Sequence, residues 1–91
     1  MMKPLPCVGR ACYSIAGRDK GRRFLIVREE EDAVYVVDGD LRKMAAPKKK
    51  NIKHIRLEPV VFHELVEKLM AEAVIGDAEI RNWLSRKTED L

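Results

Sequence analysis

Before residue 58 the chain is a series of short β-favouring runs cut by turn residues. Residues 10–15 (RACYSI) hold neither Pro nor Gly and lie between Gly9 and Gly17, which predicts a strand. Its two faces are hard to tell apart: Ala11, Tyr13 and Ile15 form one, while Cys12 and Ser14 are small enough to face a tight interior. Residues 16–23 (AGRDKGRR) carry two glycines and an aspartate and read as a loop, followed by a dense β-favouring run at 24–28 (FLIVR). The acidic cluster 29–32 turns the chain into 33–38 (AVYVVD), which closes on Asp38-Gly39, a tight-turn pair. Residues 45–51 (AAPKKKN) read as a cationic loop, and 52–57 (IKHIRL) as a fourth strand.

From Pro59 the period changes. Phe62, Leu65, Val66, Leu69, Met70 and Ala73 recur at three and four residues, predicting a helix with Pro59 in its first turn and Gly76 at its end. Asp77 then caps a second, shorter helix whose apolar stripe is Ile80, Trp83 and Leu84. The expected fold class is mainly β with C-terminal α. Residues 1–57 form a small β-barrel, since closure removes exposed sheet edges, and 58–91 form two helices packed on it. With 91 residues and no internal repeat, one compact core is expected.

Composition alters this picture little until charge is divided along the chain. The net charge is +3, but residues 1–57 hold 14 Lys and Arg against 7 Asp and Glu, whereas residues 58–91 hold 4 against 8. The basic field therefore belongs to the β portion and suits a polyanionic partner, with acidic proteins and phospholipid head groups as rival targets of the same field. No run is long and apolar enough for a bilayer, and the first residues lack the apolar core of a secretory signal, so a cytoplasmic protein without membrane attachment is expected. Cys7 and Cys12, without further Cys or His at metal spacing, read as reduced thiols.

The residue order from Gly9 to Arg22 carries more. A strand, then Ala16-Gly17, then Arg18-Asp19-Lys20-Gly21-Arg22, then an apolar strand from Phe24 to Val27 resembles a KOW motif. Two later blocks, Asp38-Gly39-Asp40-Leu41-Arg42-Lys43 and Pro47-Lys48-Lys49-Lys50-Asn51-Ile52-Lys53-His54, are similar to continuations in large-subunit ribosomal proteins of the archaeal and eukaryotic 14e type and their short bacterial relatives. The resemblance covers residues 9–57. It implies an SH3-like (KOW) β-barrel and an RNA-binding, ribosome-associated role, with ribosomal RNA as the partner.

The residues expected to hold RNA are Arg10, Gly17, Arg18, Lys20, Gly21, Arg22 and Arg23 around the first loop, and Arg42, Lys43, Lys48, Lys49, Lys50 and Lys53 around the second. Glycines permit positive φ and close backbone approach, and flexible cations suit phosphates better than base edges, so recognition by backbone and shape is expected. Tyr13, Phe24 and Tyr35 can stack on bases, although a ring at such a position is more often part of a core. His54 and His63 lack ligand partners at metal spacing, and no nucleophile motif, phosphate-binding glycine loop or carboxylate pair is present; no metal, cofactor or enzymatic activity is expected. The alternative from another class is a protein-interaction module of the transcription or translation machinery, docking through the barrel or the acidic helical tail.

Overall fold

The structure, a computed structural model, describes residues 7–86; the ends of the expected β portion (1–6) and of the helical extension (87–91) lie outside the described residues. Five antiparallel strands, β1 (Arg10–Ser14), β2 (Arg23–Glu29), β3 (Ala33–Val37), β4 (Lys48–Asn51) and β5 (Ile55–Val61), form one sheet in the order β4-β3-β2-β1-β5. Two helices, α1 (His63–Met70) and α2 (Asp77–Leu84), follow. The fold is mainly β with C-terminal α. The sheet is open: β4 and β5 are its two edges, joined in sequence by a single 3-10 turn at Ile52–His54.

Both faces of the sheet are covered. Ala11, Leu25 and Val37, in register across β1, β2 and β3, pack under Phe62, Leu65, Ile75, Ile80 and Trp83 of the helical layer. On the other face Cys12, Phe24, Ile26, Val34 and Val36 pack with Cys7 and Ile55 in a second cluster. This settles the ambiguity in β1. Cys12 points into the second cluster, Ser14 is buried with its hydroxyl on Asp19 and Lys50, Ala11 lies beneath the helices, and Tyr13 and Ile15 are exposed.

Three expectations fail locally. The cationic stretch 45–51 is not all loop, because Lys48–Asn51 is a strand in which Lys50 points inward and its neighbours outward. Three consecutive lysines conceal the alternation that defines a strand. The expected strand at 52–57 begins as a 3-10 turn, where Asn51 Oδ1 accepts from Lys53 N at 2.8 Å, and then runs on to Val61, beyond residue 57. Pro59 lies inside β5, not in a helix; β5 is an edge strand, where a residue without an N–H is tolerated.

The helical boundaries shift accordingly. Phe62 is the N-cap of α1, whose last turn ends at Ala71. Gly76 does not terminate that helix; it is the N-cap of α2, and Glu79 Oε2 accepts from its N–H at 3.0 Å. Asp77 is the first residue of α2 and ties it to the segment between β3 and β4, Oδ1 accepting from Met44 N at 2.9 Å. A Lys68–Glu79 ion pair ties α1 to α2.

Candidate nucleic-acid interface

The loop between β1 and β2 is held by its own backbone. Gly21 N donates to Ser14 O at 2.7 Å, Arg22 N to Asp19 O at 2.9 Å and Lys20 N to Gly17 O at 3.2 Å. Gly17 and Gly21 both take positive φ to make these turns.

Below the loop sits an ionic network. Lys50, 7% exposed, places its ammonium 2.7 Å from Asp19 Oδ1 and 2.8 Å from Ser14 Oγ. Lys48 Nζ donates to Asp19 Oδ2 at 3.1 Å, and Ser14 Oγ lies 2.6 Å from Asp19 Oδ1. Burial alone pushes the Asp19 carboxyl up, but the bonds from Lys50, Ser14 and Lys48 outweigh it and hold the group well below the usual carboxylate range. The network pins the β1–β2 loop to β4.

Two further ties fix the loop among its neighbours. Ile15 N donates to His54 O at 2.9 Å, placing the 3-10 turn beside the loop. On the other side Arg22 Nε bonds to Asp38 Oδ2 and its Nη2 lies 3.3 Å from Asp40 Oδ2. Asp38 is buried and its Oδ1 accepts from Asp40 N and Arg42 N at 2.9 and 2.8 Å, which shapes the 38–42 turn; these bonds outweigh burial and lower its pKa. Two basic segments, 16–22 and 48–54, and the mixed-charge turn 38–43, which carries Arg42 and Lys43 beside Asp38 and Asp40, are thereby joined around one loop.

The expected RNA-contacting residues divide into two groups. Arg18, Lys20, Arg42, Lys43 and Lys53 are exposed, and their side chains make no hydrogen bond or ion pair with another described residue. Lys49 is also exposed and pairs with Glu30 at 3.4 Å. The others hold the fold together. Arg23 grips Glu58 through Nε–Oε2 at 2.7 Å and Nη2–Oε1 at 3.1 Å, and its Nη1 donates to the carbonyls of Leu84 and Arg86 at 2.7 and 2.8 Å, so one guanidinium ties β2 to β5 and to the end of α2. Arg10 Nε donates to Glu58 O at 3.0 Å, and Lys48, Lys50 and Arg22 belong to the ties above. Among the described residues every buried side-chain N or O has a partner.

One of the cations outside the expected set lies beside this site. Arg56 is exposed on β5 and lies opposite Tyr13 in register, next to the start of the loop. It sits in a predicted strand rather than in a basic run, so charge clustering along the sequence did not single it out; its pairing with β1 does.

Cys7 and Cys12 are buried thiols, and burial pushes Cys12 up to about 12, leaving it protonated at neutral pH. Among the described residues no three His, Cys, Asp or Glu are grouped to hold a metal ion, and no helix is long and apolar enough to cross a membrane. No protein-family model matches the chain, and no curated protein matches it.

Proposed function

We propose that this protein binds RNA through the β1–β2 loop and the two segments tied to it, and that the RNA is ribosomal. The observation that carries the reading is the sorting of the cations. Arg10, Arg22, Arg23, Lys48 and Lys50 hold the scaffold, while Arg18, Lys20, Arg42, Lys43 and Lys53 stand exposed without a described acidic partner around one rigid loop. Cations left without internal partners on a preorganised surface suit a polyanion, because no ion pair must be broken before phosphates bind. The loop's fixed shape favours recognition of folded RNA geometry over free strands.

The finer fold reading accompanies this proposal. The strand order, the single 3-10 turn between the edge strands, and the glycine-bearing β1–β2 loop together support an SH3-like KOW barrel in a partly open form. The ribosomal assignment rests on the likeness of the three sequence blocks within residues 9–57.

Sedimentation of a native extract through a sucrose gradient, with and without ribonuclease, tests it. Co-migration with ribosomal particles that ribonuclease abolishes is expected. Migration at the position of the lone 10.5 kDa chain in both gradients overturns the ribosomal assignment.

A further inference from the structure

The chain has five aromatic side chains, all within the described residues, and they are not equivalent. Phe24, Phe62 and Trp83 are buried. Tyr35 is half-buried, its ring covered by the Arg28 guanidinium at 4.6 Å and its hydroxyl bonded to Glu30 at 3.2 Å. Tyr13 alone is exposed, at 40%, and its hydroxyl has no described partner.

Its surroundings are specific. In register Tyr13 lies between Arg23 of β2 and Arg56 of β5. Ala11, two residues earlier on the same side of the strand, is fully buried under the helices, so the helical layer stops at Arg23, which holds the last carbonyls of α2. Beyond that border Tyr13 and Ile15, 43% exposed, form an apolar strip that runs directly into the loop bearing Arg18 and Lys20. Lys53 stands on the 3-10 turn bonded to Ile15. An exposed ring with Arg56, Arg18 and Lys53 around it, none with a described acidic partner, is complementary to one occupant: a nucleotide that offers a π-face with a phosphate on either side.

We propose that Tyr13 is a stacking platform for a single unpaired base of the bound RNA, with Arg56, Arg18 and Lys53 receiving the flanking phosphates. The proposal rests on the RNA-binding reading above and changes its content, because the phosphate surface alone discriminates little between RNAs, whereas a stacking platform selects those with a bulged or looped-out base.

Fluorescence anisotropy with two labelled hairpin RNAs of identical stem, one fully paired and one with a single bulged adenine, tests it. The wild-type chain binds the bulged hairpin about tenfold or more tightly, in line with the value of one base–aromatic stack. Tyr13→Ala loses this preference while its affinity for the paired hairpin is unchanged, and Tyr13→Phe, which keeps the ring, retains it; an unshifted thermal midpoint confirms folding of each variant. Equal wild-type affinities for the two hairpins, or a Tyr13→Ala variant that keeps the preference or weakens both hairpins alike, overturns the platform while leaving RNA binding intact. Failure of the wild-type chain to bind either hairpin overturns the underlying RNA reading as well.

Discussion

Asp19 shows how a single position serves both stability and the candidate site. In the sequence it stands among Arg18, Lys20, Arg22 and Arg23, and a pairing with one of those neighbours is the simple expectation. Its carboxylate instead turns inward to Lys50 and Lys48, more than 28 residues away, and leaves Arg18 and Lys20 to solvent. Long-range pairing of this kind has no local signal. Removing one partner of a largely buried ion pair leaves the other uncompensated, so Asp19→Ala is expected to cost about 3 kcal/mol in urea unfolding. The pH dependence follows from the lowered pKa. The folded-state value lies below the unfolded one, so the contribution of Asp19 is full above the ordinary carboxylate range of about 4 and is lost as pH falls through and below it. Acid unfolding followed by circular dichroism is expected to show a steeper fall in stability below about pH 4 for wild type than for Asp19→Asn; equal slopes would contradict the network's role.

At the scale of elements, β1, β2 and β3 are legible because turn residues bracket them and, in β2 and β3, β-branched and aromatic residues fill them. β4 is not, since its inward residue is a lysine whose stem lines the interior and whose charge is met by Asp19. The start of α1 is not legible for a related reason: Val60, Val61 and Phe62 fit a strand and a helix equally, and only pairing with β1 decides. The docking of α2 on the 38–42 turn depends on Gly39. Its φ is +77°, a Cβ there would collide with the Asp77 carbonyl and the Arg81 side chain, and Arg81 Nη1 bonds its carbonyl at 2.5 Å. Gly21, with φ +88°, has open space where a Cβ would lie. Gly39→Ala is therefore expected to lower stability by more than about 2 kcal/mol, and Gly21→Ala by only about 1, the backbone cost alone. Equal losses in thermal unfolding of the two variants would show that the close approach of α2 is not what Gly39 serves.

For the whole molecule, the boundary at residue 57 drawn from charge and periodicity falls inside β5, and the residues on its two sides share one core. The cluster that buries Leu25 and Val37 draws its other half from Phe62, Leu65, Ile80 and Trp83, and Arg23 ties β2 to the end of α2. Ending the chain at Val61 exposes one full face of the sheet, and loss of the cooperative thermal transition is expected; a shortened chain that still unfolds cooperatively would make the helices an accessory. Residue 57 marks instead a change in charge, and the proposal of a polyanionic partner for the β portion rests on this change. The basic loops were legible as a set, but their division into scaffold and exposed cations depends on tertiary pairing. The salt dependence of RNA affinity tests the central claim most directly. With about four phosphate contacts, the logarithm of the association constant is expected to fall against the logarithm of salt concentration with a slope of about −3 to −4. Arg18→Glu/Lys20→Glu/Lys53→Glu, unchanged in thermal midpoint, is expected to lose binding about a hundredfold or more at low salt. A wild-type slope shallower than about −1, or a triple variant that binds as tightly as wild type, would contradict it.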